Sequence, residues 1–279
     1  NNRVDPALFS PAAMNLTRRL PKATDDCAQI TYGTKNVSDE GQLVAKMDYQ
    51  KSDKHSLFGR MVYGFSNVPS PFDFTPDNVL NALQNSRAKA YMFTAGSTYL
   101  ISPTMVNSFR LGFNGTDNTE GNPTFFDGSD IGVKNVYFPS GAPKFALVNL
   151  SGSFSTSQVP TPGKANTVVY QLSEDLSVSK GTHQFGFGVN YIHSLLNYAA
   201  GTFAPGQFSF NGSNTGLAMA DLMAGKPSQW LQSQVSTQYY RQNYIASYLQ
   251  DTWKVTSHVT LNGGVRWGPF IPAYDKFGQ

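Results

Sequence analysis

The segment THQFGFGVNYIHS, Thr182 to Ser194, decides how the rest of the chain is read. Phe185, Phe187, Val189 and Tyr191 fall on one side of an extended chain, and Gln184, Gly186, Gly188 and Asn190 fall on the other. Successive side chains of a strand point to opposite faces. This strand therefore has one apolar face and one small, polar face. Alternation alone leaves two partners open for the apolar face, a protein core or lipid.

The pattern recurs in four units: Gln42 to Asn67 turning around Ser52-Asp53-Lys54-His55, Ala90 to Thr116 at Ser102-Pro103-Thr104, Thr167 to Ser194 at Lys180-Gly181, and Gln242 to Gly268 near Thr256-Ser257. Each is two runs of roughly ten residues, whereas ordinary strands average about five or six and a tilted strand needs about ten to cross a bilayer. Segments of roughly 25 to 50 residues, rich in Asn, Gly, Ser, Pro and aromatics, separate the units, although loops beyond about 15 residues are uncommon in compact domains. Short turns on one side and long loops on the other are the pattern of an antiparallel transmembrane β-barrel, all-β with short periplasmic turns and long extracellular loops. A soluble β-sandwich or β-solenoid would also alternate. The fourfold recurrence favours the barrel.

Parity then sorts the side chains. Lys46, Asp48, Arg60, Arg110, Asn190 and Arg266 are expected on the lumenal face, as ordinary lumen electrostatics or as contacts for plug or solute. Tyr63, Phe65, Phe109, Phe113, Phe185, Phe187, Tyr191 and Trp267 are expected toward lipid, on the apolar face or in aromatic girdles. Two acids break the pattern: Glu174 and Asp251 share the apolar phase of their strands. A register-shifting bulge and a position near the membrane interface both explain this.

Composition reads as that of a β-rich protein with much uncharged polar surface. Of the 279 residues, 14% are charged, against about 25% in typical soluble domains, and 13% are aromatic. The net charge is +3 with no block of like charges, so a nucleic-acid partner has no support. Cys27 stands alone, which leaves neither an internal disulfide framework nor a Cys-based metal site. No apolar run reaches the length of a membrane helix, and the first residues lack the apolar core of a signal peptide. The chain reads as cytosolic, as a mature product, or as an internal piece of a longer protein.

Little chemistry stands out, and neither an enzyme nor a cofactor is expected. His55, His183 and His258 sit beside short turns, and His193 reads as the far end of its strand. Asp127 and Asp130 in FFDGSDIG lack the ligand spacing of a calcium loop and read as an Asx turn. Ser151 and Ser153 have no triad context. The sequons at Asn15, Asn36, Asn114, Asn149 and Asn211 read as chance in an Asn/Ser/Thr-rich chain. Two short helices are expected. Ser10 as N-cap, Pro11 at the first position and Pro21 as stop mark one; Leu217 to Ala224 mark the other.

In order, VDPALFSPAAMNLTRRLP, KHSLFGRMVY, ISPTMVNSFRLGFN, KGTHQFGFGVNY, FSFNGSNTGLAMADLMAGKPS and YLQDTWKVTSHVTLNGGVRWGPFIPAYDKFGQ resemble the barrel of an Oar-like TonB-dependent outer-membrane receptor, a type abundant in acidobacteria. The resemblance implies a barrel of about 22 strands around an N-terminal plug. It also implies outer-membrane localisation, lipid as surroundings, and uptake of a scarce nutrient such as an iron chelate, cobalamin or glycan, energised by the TonB complex. With about eight strands, and with neither plug nor aromatic-terminated final strand, residues 1–279 are expected to be an internal piece of that barrel. A structural or surface-interaction β-protein that assembles through exposed sheet edges is the rival reading.

Overall fold

The computed structural model describes residues 4–278 except 24, 28, 32, 34, 36, 71–84, 122–125, 138–143, 145–146, 157–162 and 202, so the sequon at Asn36 lies outside the described residues. In chain order the strands are β1 (Asp39–Ser52), β2 (His55–Val68), β3 (Asn85–Ser102), β4 (Met105–Gly121), β5 (Leu147–Leu150), β6 (Gly163–Lys180), β7 (His183–Ala200), β8 (Gln207–Phe210), β9 (Gln229–Leu231), β10 (Ser236–Lys254), β11 (Thr260–Trp267) and β12 (Tyr274–Asp275). Among the described residues two short α-helices, α1 (Pro11–Thr17) and α2 (Ala218–Met223), and a 3-10 turn, Pro6–Leu8, lie outside the strands.

A large antiparallel sheet runs β1-β2-β3-β4-β6-β7-β10-β11, with β12 paired to β10 beyond the end of β11. It contains the four expected hairpins, but the strands are longer than the expected ten residues. β1 and β2 have 14 each and β10 has 19, whereas β11 has 8. The extra length lies at the long-loop ends, where backbone pairing continues past the apolar stretch into residues such as Lys89, Asp117 and Asn166. Hydrogen bonding of the backbone does not require apolar side chains, so hydrophobic pattern alone stops the strands too early.

The turn chemistry sets the register. At Lys180-Gly181-Thr182-His183, Gly181 has φ +60°, the first-position glycine of a type II′ hairpin. The tips Asp53-Lys54 and Pro103-Thr104 contain no glycine, and each follows a register shift, between Gln50 and Ser52 and between Leu100 and Ser102. Such a bulge adds local twist and lets a turn without left-handed residues close the ladder. Neither Glu174 nor Asp251 sits at a bulge, for pairing is continuous through both. That removes the register-shift explanation.

The tips advance steadily across the sheet. His55 pairs with Tyr99, three residues short of the β3 end; Met105 pairs with Val178, two short of Lys180; His183 pairs with Trp253, one short of Lys254. The advance averages one residue per strand. At about 3.4 Å rise and about 4.8 Å between strands it corresponds to a tilt of about 35°, within the barrel range.

Four cross-strand pairs place an aromatic ring over a glycine: Phe65 on Gly41, Phe58 on Gly96, Tyr91 on Gly115 and Tyr248 on Gly188. A methyl group at any of these glycines would overlap the ring. The ring supplies the packing that glycine lacks.

The protein's buried core is elsewhere. Among the described residues the only buried hydrophobic side chain of the large sheet is Ala246. The others belong to a cap formed by α1, the segment after β4, and the segment between β7 and β10. Its second sheet, β5-β8-β9, carries a cluster of Ala13, Leu16, Phe126, Ile131, Val148, Leu150, Phe210, Ala218 and Leu222. Both helices form where expected, but Ser10 caps α1 without a side-chain hydrogen bond; its amide donates to Met223 O (2.7 Å) and ties α1 to α2. The β5-β8-β9 sheet was not foreseen, because strands of three or four residues carry no resolvable period.

Candidate functional site

Because every ladder of the large sheet is antiparallel and the bulges lie only at tips, one face can be followed across all eight main strands. Tyr63, Phe65, Phe109, Phe113, Phe185, Phe187, Tyr191 and Trp267 all fall on a single face. Among the described residues no second layer covers it: Phe187, Val189 and Tyr191 remain 40–44% exposed. Within those residues the opening segment has no core to pack against.

The two acids within the apolar stretch of this face, Glu174 and Asp251, are both partnered. Asn107 Nδ2 donates to Glu174 Oε1 from the adjacent strand. Asp251, near the tips, pairs with His183 Nδ1 (2.7 Å), whose ring stacks between Phe185 and Trp253. The other histidines have separate local partners: His55 with Ser97 (2.8 Å), His193 with Asn243 (2.8 Å) and His258 with Ser257 (2.9 Å). His193 is not at its strand's end, since β7 continues to Ala200.

Lys46, Asp48, Arg60, Arg110, Asn190 and Arg266 all fall on the opposite face, in three successive cross-strand rows. Lys46 and Arg60 face one another across β1 and β2, and Lys46 Nζ lies 2.7 Å from Asp48 Oδ2. Asp48, Arg110 and Asn190 share the next row, and Arg266 lies in the third. The belt is mainly polar, although Phe58, Ile192 and Ala246 lie in its first two rows, and it is not one connected network.

Its best-ordered part centres on two residues that parity did not single out. Asp175 accepts from Arg110 Nη1 (3.2 Å) at Oδ2 and from the Tyr248 hydroxyl (2.8 Å) at Oδ1. These links cross from β4 over β6 and β7 to β10, and Gly188 on β7 provides the room for the Tyr248 ring. Beside them Arg266 Nη2 donates to the Tyr244 hydroxyl (3.3 Å). The signal was present: Asp175 shares its phase with Ser173 and Ser177, and Tyr248 with Ala246 and Gln250. Mixed phase in YIASYLQDTW concealed it. A hollow of about 210 Å³ adjoins Asp175 and Tyr248, lined by Ser108, Ser177, Gln184 and Gln250. Fixed charges and hydroxyls beside a small polar hollow suit transient contacts with a hydrated solute or another polar chain.

A larger cavity of about 570 Å³ opens in the cap, walled by Ala13, Leu16, Ile131, Val148, Phe208 and Phe210. That size lies within the usual range for small-molecule sites. Two turns shape the cap. Asp127 Oδ1 accepts from the amides of Ser129 (2.9 Å) and Asp130 (3.1 Å), an Asx turn that sends Phe126 and Ile131 into the core. Lys144 Nζ lies 3.1 Å from Asp130 and 3.8 Å from Asp127. The Asp127 amide, then Lys144, hold the Asp130 carboxyl below its ordinary pKa against burial. Asp221 in α2 is fully buried and accepts from Thr215 Oγ1 (2.6 Å) and the Asn214 amide (3.2 Å). Burial opposes its charge, but these hydrogen bonds outweigh burial and lower its pKa.

A family model described as an outer membrane beta barrel domain matches residues 1–279. Comparison with curated proteins finds no match. Among solved structures, the outer membrane transporter YddB from Escherichia coli is similar at a TM-score of 0.50 and 14% identity. The similarity covers 87% of this chain and 28% of that transporter, so the chain spans under a third of the transporter's length.

Proposed function

The chain belongs to the outer membrane β-barrel domain family, and from that premise we propose that it is part of the wall of a TonB-dependent nutrient receptor of the Oar-like type. It is an outer-membrane protein. In this reading the continuous aromatic and aliphatic face meets lipid, and the belt from Lys46 to Arg266 lines the lumen. The observation that carries it is the two-faced, staggered sheet. From Val178 to Val168 on β6, and from Phe185 to Leu195 on β7, the apolar phase runs ten residue steps. At about 3.3 Å per residue and a tilt of about 35°, that band is about 27 Å tall, close to the roughly 25 Å of outer-membrane barrels.

Short turns then face the periplasm, and the cap faces outward. The cap cavity makes the first contact with solute, and the polar belt lines the path inward. β1 and β11 each leave one edge unpaired among the described residues. Further strands and a plug complete and gate the barrel in this reading, since an open edge is unstable in lipid. The work is transport, with no covalent step. The solute is an iron chelate, cobalamin or glycan.

Growth tests the proposal. A strain lacking the gene and a strain with an inactive TonB complex are supplied with an iron chelate, cobalamin or a glycan as the limiting source. Loss of growth on the same class in both strains is expected. Undiminished growth of the gene-deletion strain on all three would overturn the reading.

A further inference from the structure

We propose that the rim of the lipid face nearest the cap holds the phosphate groups of an outer-leaflet glycolipid of the lipid A type, through Arg87, Lys89 and Lys164. The proposal rests on the face and orientation assigned above.

Arg87 and Lys89 lie on β3, and Lys164 lies two strands away on β6. Arg87 pairs with Thr119, which pairs with Lys164; Lys89 pairs with Asp117, which pairs with Asn166. All three cations therefore project from the face that carries Tyr91, Phe113 and Tyr170. They follow directly after the aromatic rows, toward the cap. By strand geometry Arg87 and Lys89 are about 7 Å apart and Arg87 and Lys164 about 10 Å apart. These long side chains reach a common centre from there.

Charge on this rim is unbalanced. Lys164 Nζ lies 3.9 Å from Asp117 Oδ2, at the limit of an ion pair, and Arg87 Nε donates to Asn67 Oδ1 (3.1 Å), a neutral group. Lys89 stands directly opposite Asp117, yet no carboxylate among the described residues comes within ion-pair distance of it. The next acid of the rim, Asp39, lies across Asn67 on β1. All three cations are exposed.

Cations on a lipid-facing surface need an anion at headgroup depth, and long side chains reach it by extending toward the interface. Zwitterionic headgroups give each phosphate its own ammonium. Phosphates on a sugar carry no such internal partner, so they match an excess of donors spread over about 10 Å. Arg87 adds a planar fork suited to phosphate. Zwitterionic lipid alone would have no reason to select this rim over the tips.

The test uses the intact protein purified in detergent, with phosphorylated and dephosphorylated lipid A as probes and native mass spectrometry as the readout. Wild type is expected to retain phosphorylated lipid A and not the dephosphorylated form. If each cation contributes about fivefold, the triple variant Arg87→Ser/Lys89→Ser/Lys164→Ser loses roughly a hundredfold. Lys180→Ser, on the same face at the tips, should retain it. Equal retention by wild type and the triple variant, an equal loss in Lys180→Ser, or displacement by inorganic phosphate would each overturn the site. If the triple variant does not fold, the pair Arg87→Ser and Lys164→Ser singly must each lose about fivefold. A separate measurement isolates the underlying face assignment: in a Cys27→Ser background, Val189→Cys should react with a lipid-dissolved maleimide. Labelling from water alone sinks that assignment, whereas labelling from lipid without lipid A retention sinks only the site.

Discussion

Replacing Gly188 by alanine tests the part of the wall on which the polar belt depends. A Cβ there would overlap the Tyr248 ring and approach Asp175 Oδ1 to 2.6 Å. The ring has β11 residues beside it and the β7 backbone beneath it, so it must tilt away. That movement breaks the Tyr248–Asp175 hydrogen bond (2.8 Å) and leaves Asp175 to Arg110 alone. Overpacking costs about 1–3 kcal/mol and a hydrogen bond to a charged group about 1.5–3 kcal/mol. Alanine's better strand propensity returns about 0.5–1 kcal/mol. The expected net destabilisation of Gly188→Ala is about 3 kcal/mol. Gly186→Ala is the internal control, because the nearest atoms to its Cβ belong to the flexible Gln250 side chain, from 3.0 Å. It should cost under about 1 kcal/mol. Reversible urea unfolding of the intact protein in detergent, followed by tryptophan fluorescence, measures both. In a Tyr248→Ala background the cost of Gly188→Ala should fall by about 2 kcal/mol. Equal costs at the two glycines, or a Gly188→Ala cost that survives removal of the ring, would refute the reasoning.

Two further outcomes follow from the faces and the cap. Val189→Arg, near the middle of the apolar band, should lower folding stability by about 2–4 kcal/mol, whereas Asn190→Arg on the polar face should cost under about 1 kcal/mol. Heat-modifiability on gels ranks the pair, and a reversed ranking contradicts the lipid assignment. Asp221 titrates below its ordinary value of 3.8 in the folded cap. Its contribution to cap stability is present above that value and is lost as pH falls through the lower folded pKa, because the unfolded carboxyl binds its proton first. Hydrogen-exchange protection across α1 and α2, taken relative to the intrinsic amide rate at each pH, should therefore fall on acidification in wild type. In Asp221→Asn protection should already be lower at neutral pH and change less in that window; an unchanged acid response would exclude Asp221 as its source.

Much of the wall was legible because its code is local. Side-chain direction in a strand has a period of two, so Phe185, Phe187, Val189 and Tyr191 were bound to share a face wherever the strand went. The same arithmetic set Arg110 against Phe109 and Phe113, and Arg266 against Trp267. Gly181 marked a hairpin tip for an equally local reason, since its position needs a left-handed residue.

What the apolar face touches is not a local property. It depends on whether a second layer exists, and that appeared only when the buried side chains proved to lie in the cap. Register is likewise a relation between strands. Only the continuous pairing through Glu174 and Asp251 showed that both acids stay on the apolar face with their own partners, Asn107 and His183. Asp175 and Tyr248 are 73 residues apart and meet because Gly188, on the strand between them, has no side chain. The cap joins three segments distant in sequence, and strands as short as β9 gain their stability from the neighbours they pack on. Alternation along one strand determined which side chains travel together; pairing between strands decided what they meet.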